Sequence, residues 1–222
     1  MKTKWFNASL HMAYKDLRNA FVSCPFNEES GWGIQVNKYS PNSIQAKYSE
    51  RIIINETIID PYGNVTPVQY TKYINFNFWL IHEGKSNHIL IIENSPRSIK
   101  TFINNIIKCT STDFNVSNIQ LNISGFVNIF KAKFDIVEFR KAKLKGLTFG
   151  KYTSGDIELE SSSDALKDIG SFFANASYKI EKAKILVTKN QLDEFVEISS
   201  NGSITFDEDI FDEVMTTVEN LQ

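Results

Sequence analysis

Lys131–Lys151 reads KAKFDIVEFRKAKLKGLTFGK, and whether its second half is strand or helix decides the fold of the rest of the chain. Taken as one helix over 124–145, it lines up Phe126, Ile129, Phe130, Phe134, Val137 and Leu144, with Gly146 as a stop. Taken as a short helix over Ser124–Ala132 followed by a strand over Phe134–Phe149, it sets Lys141, Lys143 and Lys145 on one face. The clustering of Phe, Ile and Val favours the strand. A following strand at Asp156–Glu160, with Ile157 and Leu159 inward, also needs this partner.

Working outward, Val116–Ile123 reads as a strand before the short helix. A helix capped by Ser162 or Ser163 runs through Ala176 on the stripe Ala165, Leu166, Ile169, Phe172 and Phe173. Tyr178–Thr188 returns as a strand. The order β-α-β-β-α-β predicts a ferredoxin-like, split β-α-β unit. A hairpin follows, Phe195–Ile198 to Ile204–Phe206, turned by Asn201-Gly202. Asp207 then caps a terminal helix bearing Ile210, Phe211, Val214 and Val218, with acidic residues at its positive dipole end.

Before residue 110 the pattern differs. Leu10, Ala13, Tyr14, Leu17, Ala20 and Phe21 predict an amphipathic helix over 7–22, with a strand over Lys2–Leu10 as the alternative. A short strand opens at Gly31-Trp32-Gly33, and Ser43–Glu93 is all β, an antiparallel meander of three strands. Asp60-Pro61-Tyr62-Gly63-Asn64 is one of its turns. In Val68–Ile81, residues Tyr70, Lys72, Ile74, Phe76, Phe78 and Leu80 share a face, and Tyr73 and Trp79 interrupt the polar one. Pro96 predicts a helix start, and the stripe Ile99, Phe102, Ile103, Ile106 and Ile107 should lie on the meander. The polar stretch Thr110–Asp113 marks a boundary. The expectation is an α+β protein of two domains: an antiparallel domain over 1–110, and over 111–222 a ferredoxin-like domain with its hairpin and helix.

Composition narrows the function classes. A length of 222 residues, 42% hydrophobic and 23% charged, describes a folded chain. Lys+Arg 24 against Asp+Glu 26, with a pI near 6.0, argues against indiscriminate coating of nucleic acid or anionic membrane. Cys24 and Cys109 stand in no metal spacing. The first residues, MKTKWFNASLHMAY, carry no signal-peptide pattern, and no apolar run spans a bilayer, so free thiols, a cytoplasmic location and no membrane are expected.

No Ser-centred elbow, Gly-rich phosphate loop or H-E-x-x-H pattern occurs, so no catalytic residue, metal or cofactor is assigned. His82 and His88 flank one turn and would neighbour each other across it, conceivably with Glu83 or Glu93. Asp135 and Glu138 form a carboxylate pair of the kind metal-dependent nucleases use, although three residues apart on a strand they face opposite sides, and a divergent metal-dependent nuclease using them is the second alternative. The leading expectation is a non-enzymatic binding protein contacting nucleic acid or another acidic partner. Its candidate contacts are Lys131, Lys133, Arg140, Lys141, Lys143, Lys145 and Lys151, with Phe139, Phe149 and Tyr152 for stacking. The alternative is a structural or adaptor subunit, a homo-oligomer or part of a complex. Its interface would be Tyr70, Tyr73 and Trp79 on the apolar strand 68–81.

Overall fold

The computed structural model describes residues 1–84, 87–149, 152–172 and 177–221, with side chains at all of these except 83, 84, 149, 168 and 170–172. Strand dominates over helix, and the strands pair antiparallel in an open sheet. The chain divides into two compact units, Asn7–Val116, and Met1–Phe6 with Ser117–Gln222. Among the described residues no helix is long and apolar enough to cross a membrane.

Burial with period two explains the first element. Thr3 and Trp5, then Ala8 and Leu10, are buried alternately, and Lys2–Leu10 is strand β1. The helix expected over 7–22 therefore begins only at Tyr14, as α1 (Tyr14–Val22), with Leu17 and Phe21 buried. In the Asn7–Val116 unit the meander forms as expected, from β2 (Trp32–Ser40), β3 (Ser43–Ile59), β4 (Val65–Gly84) and β5 (Asn87–Glu93), adjacent in that order. Helix α2 (Lys100–Thr110) lies on it: the Phe102 ring sits 5.1, 5.3 and 5.0 Å from those of Tyr48, Phe76 and Phe78. The buried Asn105 amide donates to the Tyr48 hydroxyl at 2.7 Å and the buried Thr110 hydroxyl to the Ile106 carbonyl at 2.9 Å, so both buried polar side chains of this helix have partners. Pro96 does not start α2. Ile99 is the N-cap, and the Ser98 hydroxyl accepts the Lys100 N–H at 3.5 Å.

Residues 124–145 resolve into helix then strand. The Asn122 side chain accepts the Gly125 N–H at 3.1 Å and caps α3 (Ile123–Phe130). Phe126, Phe130 and Phe134 then stack at 4.5 and 4.9 Å, carrying the chain off the helix and into β7 (Ile136–Phe149). The expected strand 116–123 is shorter and earlier, β6 (Phe114–Asn118). Strands β8 (Thr153–Glu160), β9 (Lys179–Lys189), β10 (Leu192–Ser199) and β11 (Ser203–Thr205) complete the second unit, with α4 (Ala165–Phe172) between β8 and β9. The cap of α4 is Asp164, whose carboxylate accepts from Leu166 and Lys167, not Ser162 or Ser163. The end expected at Ala176, including Phe173, lies outside the described residues. Asp207 accepts from Glu208 and opens a single 3-10 turn leading into α5 (Phe211–Glu219).

The strand order in this unit is β1-β11-β10-β9-β7-β8. A split β-α-β arrangement would place β6 between β9 and β8. Instead β7 pairs with β9 directly from Ile136↔Thr188 to Lys145↔Lys179, and β6 stands outside the order. A 14-residue β7 finds its longest ladder on β9, and the five residues of β6 cannot compete for that edge. The ferredoxin-like expectation is corrected to an antiparallel sheet in which β7 lies between β9 and β8, with β8 at its edge.

Candidate interaction surfaces

The described cations of the basic stretch make contacts in different parts of the unit. Lys131 is exposed at the end of α3. Lys133 is turned onto α5, where its ammonium donates to the Glu213 carbonyl and to the hydroxyls of Thr216 and Thr217. Burial there lowers its pKa. Arg140, in a bulge of β7, pairs with Glu138 at 2.8 Å and donates to the carbonyls of Ser162 and Ser163, fastening the approach to α4. Lys151 and the Phe149 side chain lie outside what the structure describes. Phe139 is buried and Tyr152 exposed.

Lys141, Lys143 and Lys145 do share an outward face, but carboxylates stand among them. Lys141 pairs with Glu160 of β8 at 2.9 Å, and Lys143 with Glu181 of β9 at 2.8 Å. Lys145 pairs with the same Glu181. The carboxylates raise the pKa values of Lys141 and Lys143, and Lys143 and Lys145 lower that of Glu181. These pairs are open to water, so they add little to stability. Their main effect is to weaken the cationic field that the lysine spacing alone suggests.

Register supplies two cations that the reading of 131–151 missed. Lys184 stands opposite Lys141, and Lys182 opposite Lys143. Lys184 pairs with Glu197 at 3.6 Å and sits 4.7 Å over the half-exposed Phe195 ring, whereas Lys182, among the described residues, has no ion-pair partner. These four lysines, with Glu158 and Glu197, line a concavity of about 160 Å³. The signal was in the sequence: Lys-Ala-Lys occurs at 141–143 and again at 182–184.

The second surface is a two-stranded arm. Strands β3 and β4 pair without a bulge from Ser43↔Ile81 to Ile59↔Val65. Their outer neighbours stop early: β2 reaches only Glu50, and β5 begins only at Phe78. Residues 52–59 and 65–72 thus form a hairpin, roughly 25 Å long, with no further strand on either side among the described residues. Its turn is built as expected: the Asp60 carboxylate accepts the N–H groups of Tyr62 and Asn64 and the Asn64 amide, and these bonds lower its pKa. Tyr70 donates to Glu56, and Gln69 to Asn55, across the pair.

Both faces of the arm carry exposed apolar residues. Ile53 is 55% exposed, Ile59 67% and Tyr62 90%, with Ile58 and Val65 similar. The face that buries Tyr48, Phe76 and Phe78 continues outward as Ile52, Ile54 and Val68, half-buried, and Tyr70, exposed. Of the residues assigned to an interface, Tyr70 is exposed on this face. Tyr73 is exposed on the other and meets Phe26 at 6.2 Å, and Trp79 is half-buried six residues on.

The remaining constellations are used internally. Asp135 accepts the Asn190 N–H at 3.2 Å and Glu138 holds Arg140, so the two carboxylates serve separate contacts. Cys24 and Cys109 are free thiols. Cys109 donates to the Ala20 carbonyl at 3.2 Å, and burial and then Cys24 raise its pKa. Among the described residues no group of three or more His, Cys, Asp or Glu is placed to hold a metal ion. His82 and His88 do face each other across β4 and β5, with ring centres 5.3 Å apart and Tyr14 of α1 at 5.3 and 5.5 Å. His88 is 3% exposed, and its Nε2 lies 3.3 Å from the Leu10 carbonyl of β1.

Burial, with His82 adding repulsion, lowers the His88 pKa. The unfolded chain then takes up the proton first. Stability is unaffected above the unfolded value near 6.5 and falls as pH drops through it toward the folded value, by about 1.4 kcal/mol per pH unit between the two. The melting temperature is expected to drop from pH 7 to pH 5.5, and His88→Phe should shrink that drop. An equal drop in both proteins would refute the assignment.

The chain matches no protein-family model, and comparison with curated proteins finds no relative.

Proposed function

We propose that this is a non-enzymatic binding protein that joins a larger protein assembly through the β3–β4 arm. The observation that carries this reading is the hairpin 52–72, apolar on both faces and without a neighbouring strand. An isolated two-stranded hairpin is marginal in water, and a contiguous apolar patch on a surface is expensive to keep unless a partner covers it. The test uses the full chain, tagged, in the cells that make it. Wild type is expected to fractionate as a complex larger than the monomer. Replacing Ile53, Ile58 and Ile59 by Lys should return it to monomer size while circular dichroism stays unchanged. A wild type already at monomer size, or a complex indifferent to these substitutions, would overturn the reading.

A second reading, that the β8-β7-β9-β10 face takes nucleic acid or another anionic partner, is favoured by the exposed, unpaired Lys182 beside Lys141, Lys143 and Lys184. Lys182→Glu is a cleaner probe than Lys141, Lys143 or Lys145→Glu, because it breaks no ion pair. It should weaken single-stranded oligonucleotide binding by roughly tenfold at low salt and make the salt slope shallower by about one unit, with the melting temperature unchanged. Binding that ignores both salt and Lys182 would remove this reading.

A further inference from the structure

We infer that the arm associates by strand addition along its β3 edge, and that its occupant is the β3 edge of a second copy of this chain. The inference rests on the arm being an interaction device and assigns the edge and the partner. In an antiparallel ladder the N–H and C=O of one residue point to the same side, and successive residues alternate sides. Two backbone hydrogen bonds fix the phase along β3. Arg51 N–H donates to the Gly31 carbonyl at 2.7 Å, away from β4, and Asp60 N–H donates to Asn64 at 3.0 Å, towards the β4 side. With no bulge between them, Ile53, Asn55, Thr57 and Ile59 direct their backbone groups to the open edge of β3. By the same phase Val65, Pro67, Gln69, Thr71 and Tyr73 direct theirs to the open edge of β4.

The two edges are not equivalent. Pro67 falls at a position whose N–H would face outward, so β4 lacks a donor in the middle of its open edge and is blunted against further pairing. The β3 edge has no proline, no lysine and no bulge from Ile52 to Ile59, and it is rich in β-branched residues. An edge left unprotected beside one that is protected marks the side on which a strand is added.

Charge selects a second copy and limits its register. The open segment carries one charged residue, Glu56. A two-fold axis through Asn55 pairs Ile53 with Thr57, Ile52 with Ile58, and Ile54 with Glu56; Arg51, whose N–H is already held by the Gly31 carbonyl, lies outside the open edge. All outward-pointing residues then meet outward-pointing ones, and no like charges face each other. A shift that put the axis at Glu56 would set the two carboxylates opposite each other, and one at Ile54 would shorten the ladder. The segment is thus self-complementary with the axis at Asn55 or, over an equal length, at Thr57, where Glu56 faces Ile58.

The experiment compares proline substitutions on the two edges of the purified full chain by sedimentation velocity across a concentration series. Asn55→Pro and Thr71→Pro each remove an N–H that the β3–β4 ladder does not use, so both should keep the hairpin and serve as mutual folding controls. Wild type and Thr71→Pro are expected to dimerise, and Asn55→Pro to weaken the dimer by about 100-fold or more. A dimer broken by Thr71→Pro and spared by Asn55→Pro would overturn the edge assignment. A wild type that is monomeric at all concentrations would overturn the second copy as occupant. The wider reading of the arm would survive that result if the cellular complex still depended on Ile53, Ile58 and Ile59. A dimer insensitive to both prolines and to those lysine substitutions would reject the two together.

Discussion

Phe102→Ala is expected to lower the unfolding free energy by about 3–5 kcal/mol, the cost of truncating a core aromatic and leaving a cavity. Phe102 is fully enclosed, and its ring stands edge-on to Tyr48, Phe76 and Phe78, each contact adding to simple burial. It is also the point at which α2 is held to the part of β3 and β4 that roots the arm. Loss of the ring therefore loosens both the helix and the Tyr48–Asn105 bond beside it. Chemical denaturation with far-ultraviolet circular dichroism reads the change. Phe102→Leu, which keeps most of the volume, should cost less than half as much. A cost below about 1 kcal/mol for Phe102→Ala would mean that α2 is held by something other than this cluster.

The parts legible in the sequence were those where local chemistry and long-range packing agree. Ser43–Glu93 alternates over a length that no helix would tolerate, and its turn carries Asp60 and Gly63 where the geometry needs them. Val137 to Phe149 is β-branched and aromatic enough to be a strand. What stayed hidden depends on which strand stands next to which. Period-two burial of Lys2–Leu10 competes with a helical stripe through Leu10 and Leu17, and only the strand beside it decides. The order β9-β7-β8 follows from the length of the β7–β9 ladder, which no local pattern encodes. The interaction surfaces were hidden for the same reason. Lys141, Lys143 and Lys145 share a face as their spacing requires, but Glu160 and Glu181 reach them from other strands. The arm is invisible until β2 and β5 are seen to stop short of it, although its exposed Ile53, Ile58 and Ile59 are plain in the chain.

Gly33→Ala is expected to cost about 3 kcal/mol or more and to free the root of the arm. A β-carbon at Gly33 would lie 2.0 Å from the Phe26 nitrogen, 2.1 Å from its Cα and 2.4 Å from the Pro25 carbonyl carbon. These are backbone atoms, so no rotamer change relieves the overlap, and the crossing of 25–26 over β2 must open. That crossing is tied down on both sides: Ile34 N–H donates to the Cys24 carbonyl at 2.8 Å, and Gly31 N–H to the Asn27 carbonyl at 2.8 Å. The same segment holds the arm where it leaves the sheet. Gly31 accepts from Arg51, the Arg51 guanidinium pairs with the Glu28 carboxylate and donates to its carbonyl at 2.7 Å, and Phe26 lies against Tyr73. Displacing Pro25–Phe26 therefore releases Arg51 and Tyr73 together. Amide exchange should rise at residues 49–53 and 71–75 as well as near the mutation. Gly63→Ala is the contrast: its φ of +85° strains any side chain, but nothing lies within 4 Å, so about 1–2 kcal/mol is the expected limit, confined to the turn. Equal costs for the two would show that strain at a turn, and not the close crossing at the root, governs how firmly the arm is held.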